Sequence, residues 1–116
     1  MNVAQPLVQA GLLGEAIDSG PALVFVADED MQYVAVNEAA CEALGYDREE
    51  LLGMRVTDIA AGDEASDEYA RMVASGAAAG RSRLVRKDGS TLVIEYRAGR
   101  ALVAQMTLYV SVAFVV

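Results

Sequence analysis

The run MQYVAVNEAACEALGYDREELLG, residues Met31–Gly53, spells out a strand and two short capped helices in succession. Met31–Val36 is β-branched and aromatic and predicts a strand. Asn37 reads as a helix cap, because its side-chain oxygen can accept a first-turn backbone N–H. Ala40, Cys41 and Leu44 then recur on one helical face. Gly45 stops that helix, since glycine enters the left-handed conformation without a steric cost. Asp47 caps again, and Glu50 three residues on completes a capping box. Leu51 and Leu52 turn this second helix toward a core, and Gly53 closes it.

Upstream, Ala22–Ala27 is a second strand, joined to the first by the acidic turn Asp28-Glu29-Asp30. Three consecutive carboxylates lack the alternating ligand spacing of a calcium loop, so the turn reads as a solvated tip. Before it, Leu7, Ala10, Leu13 and Ile17 form one stripe of a helix over Pro6–Asp18, ended by Ser19-Gly20-Pro21. Downstream, Met54–Ala60 holds one helical turn, and Glu64–Ala79 a helix capped by Asp63 or Ser66 with Tyr69, Met72 and Val73 on its apolar face. Three strands follow, Gly80–Lys87, Ser90–Arg100 and Gln105–Val116, with Asp88-Gly89 as a tight turn between the first two. Alternation puts Leu92, Ile94 and Tyr96 on one face, opposite Val93, Glu95 and Arg97. The last strand is apolar on both faces. Leu108, Val110, Val112 and Phe114 are expected inside, and Tyr109, Ser111, Ala113 and Val115 beneath the N-terminal helix or a second subunit.

A chain of 116 residues is one domain by length and can bury a core without disulfides. Its net charge of −8 argues against a nucleic-acid binder, which needs a basic stripe. Hydrophobic residues make up 54 % of the chain, yet no apolar run reaches the ~18 residues of a membrane helix. No secretory leader is evident, and the single Cys41 fits a reducing compartment, so a cytoplasmic protein without membrane insertion is expected. There is no histidine, which removes the usual catalytic triads, histidine-ligated zinc and axial-histidine haem. The carboxylates sit in turns and caps. Cys41, on a buried helix face, reads as a small hydrophobe. No enzymatic machinery emerges.

The run VNEAACEALGYDREELLG resembles the central signature of PAS domains, and RKDGS at Arg86–Ser90 with the strand after it resembles their hairpin. The resemblance spans roughly Gly20–Val116 and implies an α+β fold: a five-stranded antiparallel sheet, short helices over one face and a cavity between them. Residues 1–20 are then an N-terminal flanking helix and 21–116 the PAS domain. Such domains are sensory or interaction modules of signalling proteins. The D-I/V-T motif that often leads to an effector is not present at the end, AFVV, and no effector domain is expected on this chain.

The flavin-binding light-oxygen-voltage branch carries G-x-N-C-R-F-L-Q, which falls here on Gly53–Ala60, GMRVTDIA. By that resemblance the photoreactive cysteine becomes Val56 and the following arginine Thr57. Two flavin-holding asparagines become Leu84 and Ile94, and a glutamine becomes Phe114. Hydrocarbon at these positions would leave a buried flavin's amide groups unpaired, at about 1–3 kcal/mol each. Flavin and haem are therefore not expected.

What remains is an apolar pocket, expected to be lined by Phe25, Leu44, Val56, Ile59, Met72, Leu84, Leu92, Ile94, Tyr96, Val110, Val112 and Phe114. A methylene chain gains roughly 0.8 kcal/mol per buried CH₂, which points to a fatty acid or similar apolar ligand. Arg55, Arg71 and Arg83 are the candidate partners for its carboxylate. A homodimer through the N-terminal helix and the outer sheet face is expected. The alternatives are a ligand-free dimerisation module with a filled core, a flavin-binding light or redox sensor, and a small α+β isomerase. The isomerase would lack a histidine base.

Overall fold

The structure, a computed structural model, describes residues 5–62 and 65–116, except for the side chains of residues 65 and 66. Helix α1 (Pro6–Asp18) leads into strands β1 (Leu23–Ala27) and β2 (Tyr33–Val36), and helix α2 (Glu38–Leu44) follows directly. Asn37 ties these pieces together. Its Oδ1 accepts from the α2 amide of Ala40 at 3.1 Å and from the β1 amide of Val24 at 2.9 Å. Its Nδ2 donates to the carbonyls of Ile17 (2.7 Å) and Ala22 (2.8 Å). Asn37 is buried, so a polar side chain there must be fully hydrogen-bonded, and it is. Gly45 ends α2 in the left-handed conformation, and Asp47 and Glu50 form the expected capping box of helix α3 (Arg48–Leu52).

After helices α4 (Val56–Ile59) and α5 (Ala65–Ser75), the chain completes the sheet with β3 (Ala77–Val85), β4 (Thr91–Val103) and β5 (Met106–Val115). The five strands lie in the order β2-β1-β5-β4-β3, and every neighbouring pair is antiparallel. This is the expected five-stranded sheet, with helices α2–α5 packed on it and α1 flanking. The core is buried among Leu23, Phe25, Leu44, Leu51, Ile59, Met72 and Ile94 and their neighbours.

The segment between α3 and α5 reaches both edges of this sheet. At the β2 edge, Val56 donates its amide to Met31 O at 2.9 Å, and Gln32 Nε2 donates to Leu52 O and Met54 O at 2.9 and 3.0 Å. At the β3 edge, Ala61 donates its amide to Arg83 O at 2.9 Å. The turn of α4 is thereby drawn across the inner face of the sheet. At the far hairpin, Arg86 Nε and the Lys87 amide donate to Ala43 O and Leu44 O, pinning the loop at Asp88 to the end of α2.

Several boundaries differ from expectation for local reasons. Strand β2 starts at Tyr33 rather than Met31, because Met31 is left-handed (φ 66°) and Asp28 Oδ1 accepts from the amides of Asp30 and Gln32 to close the turn. Helix α5 stops at Ser75 rather than Ala79: Gly76 is left-handed at φ 82°, and Ala77–Gly80 pair with Tyr96–Gly99 as strand. The candidate cap Asp63 and the side chain of Ser66 lie outside the described residues.

Two larger corrections concern surfaces. Helix α1 spans the expected residues, but none of them is buried, and Leu7, Leu12, Leu13 and Ile17 are exposed rather than laid on the sheet. Its last turn is held by the Asn37 bond and by an exposed Asp18–Arg48 ion pair at 2.6 Å. Strand β5 presents the reverse of its expected faces. Tyr109 and Ala113 are buried at 3 % and 0 %, whereas Val112 and Phe114 are 39 % and 53 % exposed. Register is the cause. Tyr96 pairs with Ala113 and Ala98 with Ser111, and directly paired residues share a face.

Candidate ligand-binding cavity

A cavity of about 120 Å³ lies between the inner sheet face and helices α4 and α5. Phe25 and Ala27 of β1 and Tyr33 of β2 form one wall. Ser82 and Leu84 of β3, Ile94, Tyr96 and Ala98 of β4, and Tyr109 and Ser111 of β5 form the floor. Val56 approaches from α4 and Ala60 from its C-cap, and Glu68, Tyr69 and Met72 from α5. The spacing of Tyr69 and Met72 on one helical face brings both inward. Tyr69 donates its hydroxyl to Asp28 O, which fastens α5 to the β1–β2 turn.

Of the twelve residues expected in a pocket, the structure brings six to this cavity: Phe25, Val56, Met72, Leu84, Ile94 and Tyr96. Leu44 and Ile59 (both 0 % exposed) and Leu92 are buried in the core away from its lining. Val110, Val112 and Phe114 stand on the opposite face of β5, so no ring-holding residue can be mapped to Phe114. Arg55, Arg71 and Arg83 are exposed and outside the lining. Sequence reasoning missed Tyr33, Tyr69, Tyr109, Ser82, Ser111 and Glu68. The first two were legible as apolar positions of their elements. Tyr109 and Ser111 lie on the inner face of β5, opposite to expectation.

A family model described as PAS domain matches residues 21–115. The chain belongs to the PAS domain family. No curated protein matches it. Among solved structures it is similar to the PAS domain of an HTR-like protein from Haloarcula marismortui, with 22 % identity, TM-score 0.83, and coverage of 93 % of this chain and 92 % of that one. It is similar to a domain of a sensory box sensor histidine kinase/response regulator from Geobacter sulfurreducens, with 22 % identity, TM-score 0.81, and coverage of 97 % and 99 %. An RNA-binding light-oxygen-voltage receptor also resembles it at 23 % identity and TM-score 0.82, over 99 % of this chain and 35 % of that one. At these identities the structural likenesses establish the fold. A PAS domain is a sensory module of the kind found in signalling proteins. Among the described residues no helix is long and apolar enough to cross a membrane.

The cavity of this PAS domain is apolar in area but not in chemistry. Among the described residues, the hydroxyls of Tyr33, Tyr96, Tyr109, Ser82 and Ser111 and the Glu68 carboxylate have no hydrogen-bond partner within the protein. No side-chain nitrogen or oxygen is sealed from solvent without a partner, so these groups of the lining residues reach water. Burial pushes the Tyr33 phenol well above its ordinary value of 10.0, with Tyr69 and Asp58 adding to it. Burial also raises Tyr69 and Tyr96. All three phenols are therefore neutral donors at physiological pH. Burial raises the Cys41 thiol too, although the Arg48 guanidinium pulls it down, so the thiol is not activated.

Proposed function

We propose that this PAS domain is a non-catalytic sensor that holds a compact small molecule in the cavity and relays occupancy to α1 through β1 and Asn37. The observation that carries this reading is the set of unpartnered hydroxyls around a space of about 120 Å³. A packed core would use such groups internally or replace them with hydrocarbon. The volume is near that of an engineered cavity of about 150 Å³ that admits benzene, and it suits a single ring better than the fatty acid suggested by composition. An acyl carboxylate would also find no Lys or Arg in the lining among the described residues.

A light-oxygen-voltage photocycle is not favoured. Val56, Leu84 and Ile94 all line the cavity, so hydrocarbon meets the space where that branch places a cysteine and two asparagines. The exposed apolar residues Leu7, Leu13, Val112 and Phe114 support a homodimer through α1 and the outer sheet face. The single cysteine supports a cytoplasmic setting.

The test is denaturing extraction and mass spectrometry of purified protein, together with its absorbance spectrum and a thermal-shift screen of single-ring and smaller compounds. Occupancy or stabilisation by a compact molecule, in colourless protein, is the expected result. A core that releases nothing and is stabilised by nothing would leave a relay module without a ligand. A retained flavin spectrum would return the domain to the light-oxygen-voltage reading.

A further inference from the structure

Five of the chain's seven aromatic residues converge on the cavity: Phe25, Tyr33, Tyr69, Tyr96 and Tyr109. Phe25 and Tyr33 stand 5.6 Å apart with planes tilted by 36°, and Tyr69 meets Tyr109 edge-on at 5.5 Å and 63°. Each pair is in aromatic contact, and all four of these rings belong to residues that line the cavity. Each ring face is electron-rich and attracts a cation, most strongly where water is excluded. Among the described residues, Glu68 is the one charged side chain in the lining, and its carboxylate has no protein partner. Arg71, the nearest cation on the same helix, is exposed and outside the lining. Its influence on Tyr96 is weaker than that of Glu68. The acidic turn Asp28–Asp30 adjoins Tyr69, whose phenol feels all three of its carboxylates. With the net charge of −8, this arrangement draws cations toward the mouth and repels anions.

We infer that the cavity selects a small organic cation of the methylated-ammonium class, caged by the tyrosine rings and paired with Glu68. The inference rests on the ligand-sensing reading above and narrows its chemistry. A tetramethylammonium-sized head is compact enough for a cavity of about 120 Å³. The free hydroxyls accommodate one polar substituent.

The experiment is calorimetric titration of the intact chain with tetramethylammonium and choline. Their uncharged carbon isosteres, neopentane-type alcohols such as 3,3-dimethylbutan-1-ol, serve as the comparison. The cations are expected to bind about tenfold or more tightly than the isosteres. Glu68→Gln, a change at a partly exposed position, should weaken cation binding about fivefold and leave isostere binding unchanged. Tyr96→Leu should weaken cation binding about tenfold, whereas Tyr96→Phe, which keeps the ring, should stay within about twofold of the native protein. Circular dichroism of each variant confirms that it is folded. Isosteres that bind as tightly as the cations overturn the inference but leave a ligand cavity standing. Cation affinity unmoved by both Glu68→Gln and Tyr96→Leu overturns it as well. Binding of neither class overturns the inference and leaves the sensing reading to the extraction and thermal-shift screen.

Discussion

Replacing Asn37 tests how the flanking helix, the first strand and the central helix are joined. Alanine removes two accepted and two donated hydrogen bonds. Loss of the cap on Ala40 costs about 1 kcal/mol. The Val24 amide, part-buried in β1, loses one partner at about 1–2 kcal/mol, and the Ala22 carbonyl adds a smaller amount. The exposed end of α1 lets Ile17 O find water, so its loss is minor. The sum is about 3 kcal/mol. Unfolding entropy of roughly 2.1 cal/mol/K per residue converts this to a fall in Tm of about 12 °C. Asn37→Asp is the sharper variant. Aspartate caps helices as well as asparagine does, so a residue acting only as a cap would tolerate it. Here the new carboxylate would face Ile17 O and Ala22 O where Nδ2 now donates at 2.7 and 2.8 Å. Asn37→Asp should therefore lose at least as much as Asn37→Ala. Urea unfolding followed by far-UV circular dichroism suits a chain without tryptophan. An Asn37→Asp protein within about 0.5 kcal/mol of native stability, at unchanged m-value, would refute the reasoning, because it would reduce Asn37 to a cap.

Three other outcomes follow from the backbone and the phenols. Ala104 and Gln105 form the β4–β5 turn with φ of 49° and 66°, a geometry that favours Asn-Gly, so Ala104→Asn with Gln105→Gly should raise stability by about 1 kcal/mol in the same denaturation assay. Gly76 is left-handed, and an added Cβ would come within 2.9 Å of Arg100 Nη2, so Gly76→Ala should destabilise by about 1–2 kcal/mol; an unchanged Tm would show that α5 can end otherwise. Tyr33, Tyr69 and Tyr96 have raised folded-state pKa values, so their contribution is fully present below the unfolded value near 10.0 and is lost as pH rises through the folded values. Ultraviolet titration should accordingly show phenols that ionise only as the protein unfolds in alkali, and a single simple titration of every tyrosine near pH 10 would contradict this.

Local chemistry made much of the first half readable. Asn37, Gly45, Asp47 and Glu50 act within a few residues of themselves, and each takes the cap or stop its side chain dictates. Helix α1 also runs from Pro6 to Asp18 as its spacing predicts. Burial was harder to read, because hydrophobic spacing says which residues share a face and not what covers that face. The stripe of α1 meets solvent in this chain. In β4 alternation was sufficient, since Glu95 and Arg97 mark the outer side and leave Ile94 and Tyr96 to the cavity. In β5 both parities are apolar, and only pairing of Ala113 with Tyr96 and Ser111 with Ala98 decided that Tyr109 faces inward. The candidate site shares that dependence. Its tyrosines come from β2, α5, β4 and β5, elements far apart in sequence, and no local pattern records that they converge. The sequence by itself determined the caps, the turns and the family signature, because these are energies of neighbouring residues. The inner face of β5, the exposure of α1 and the aromatic enclosure around Glu68 were decided only by strand register and by the crossing of α4 between the sheet edges, which are long-range contacts.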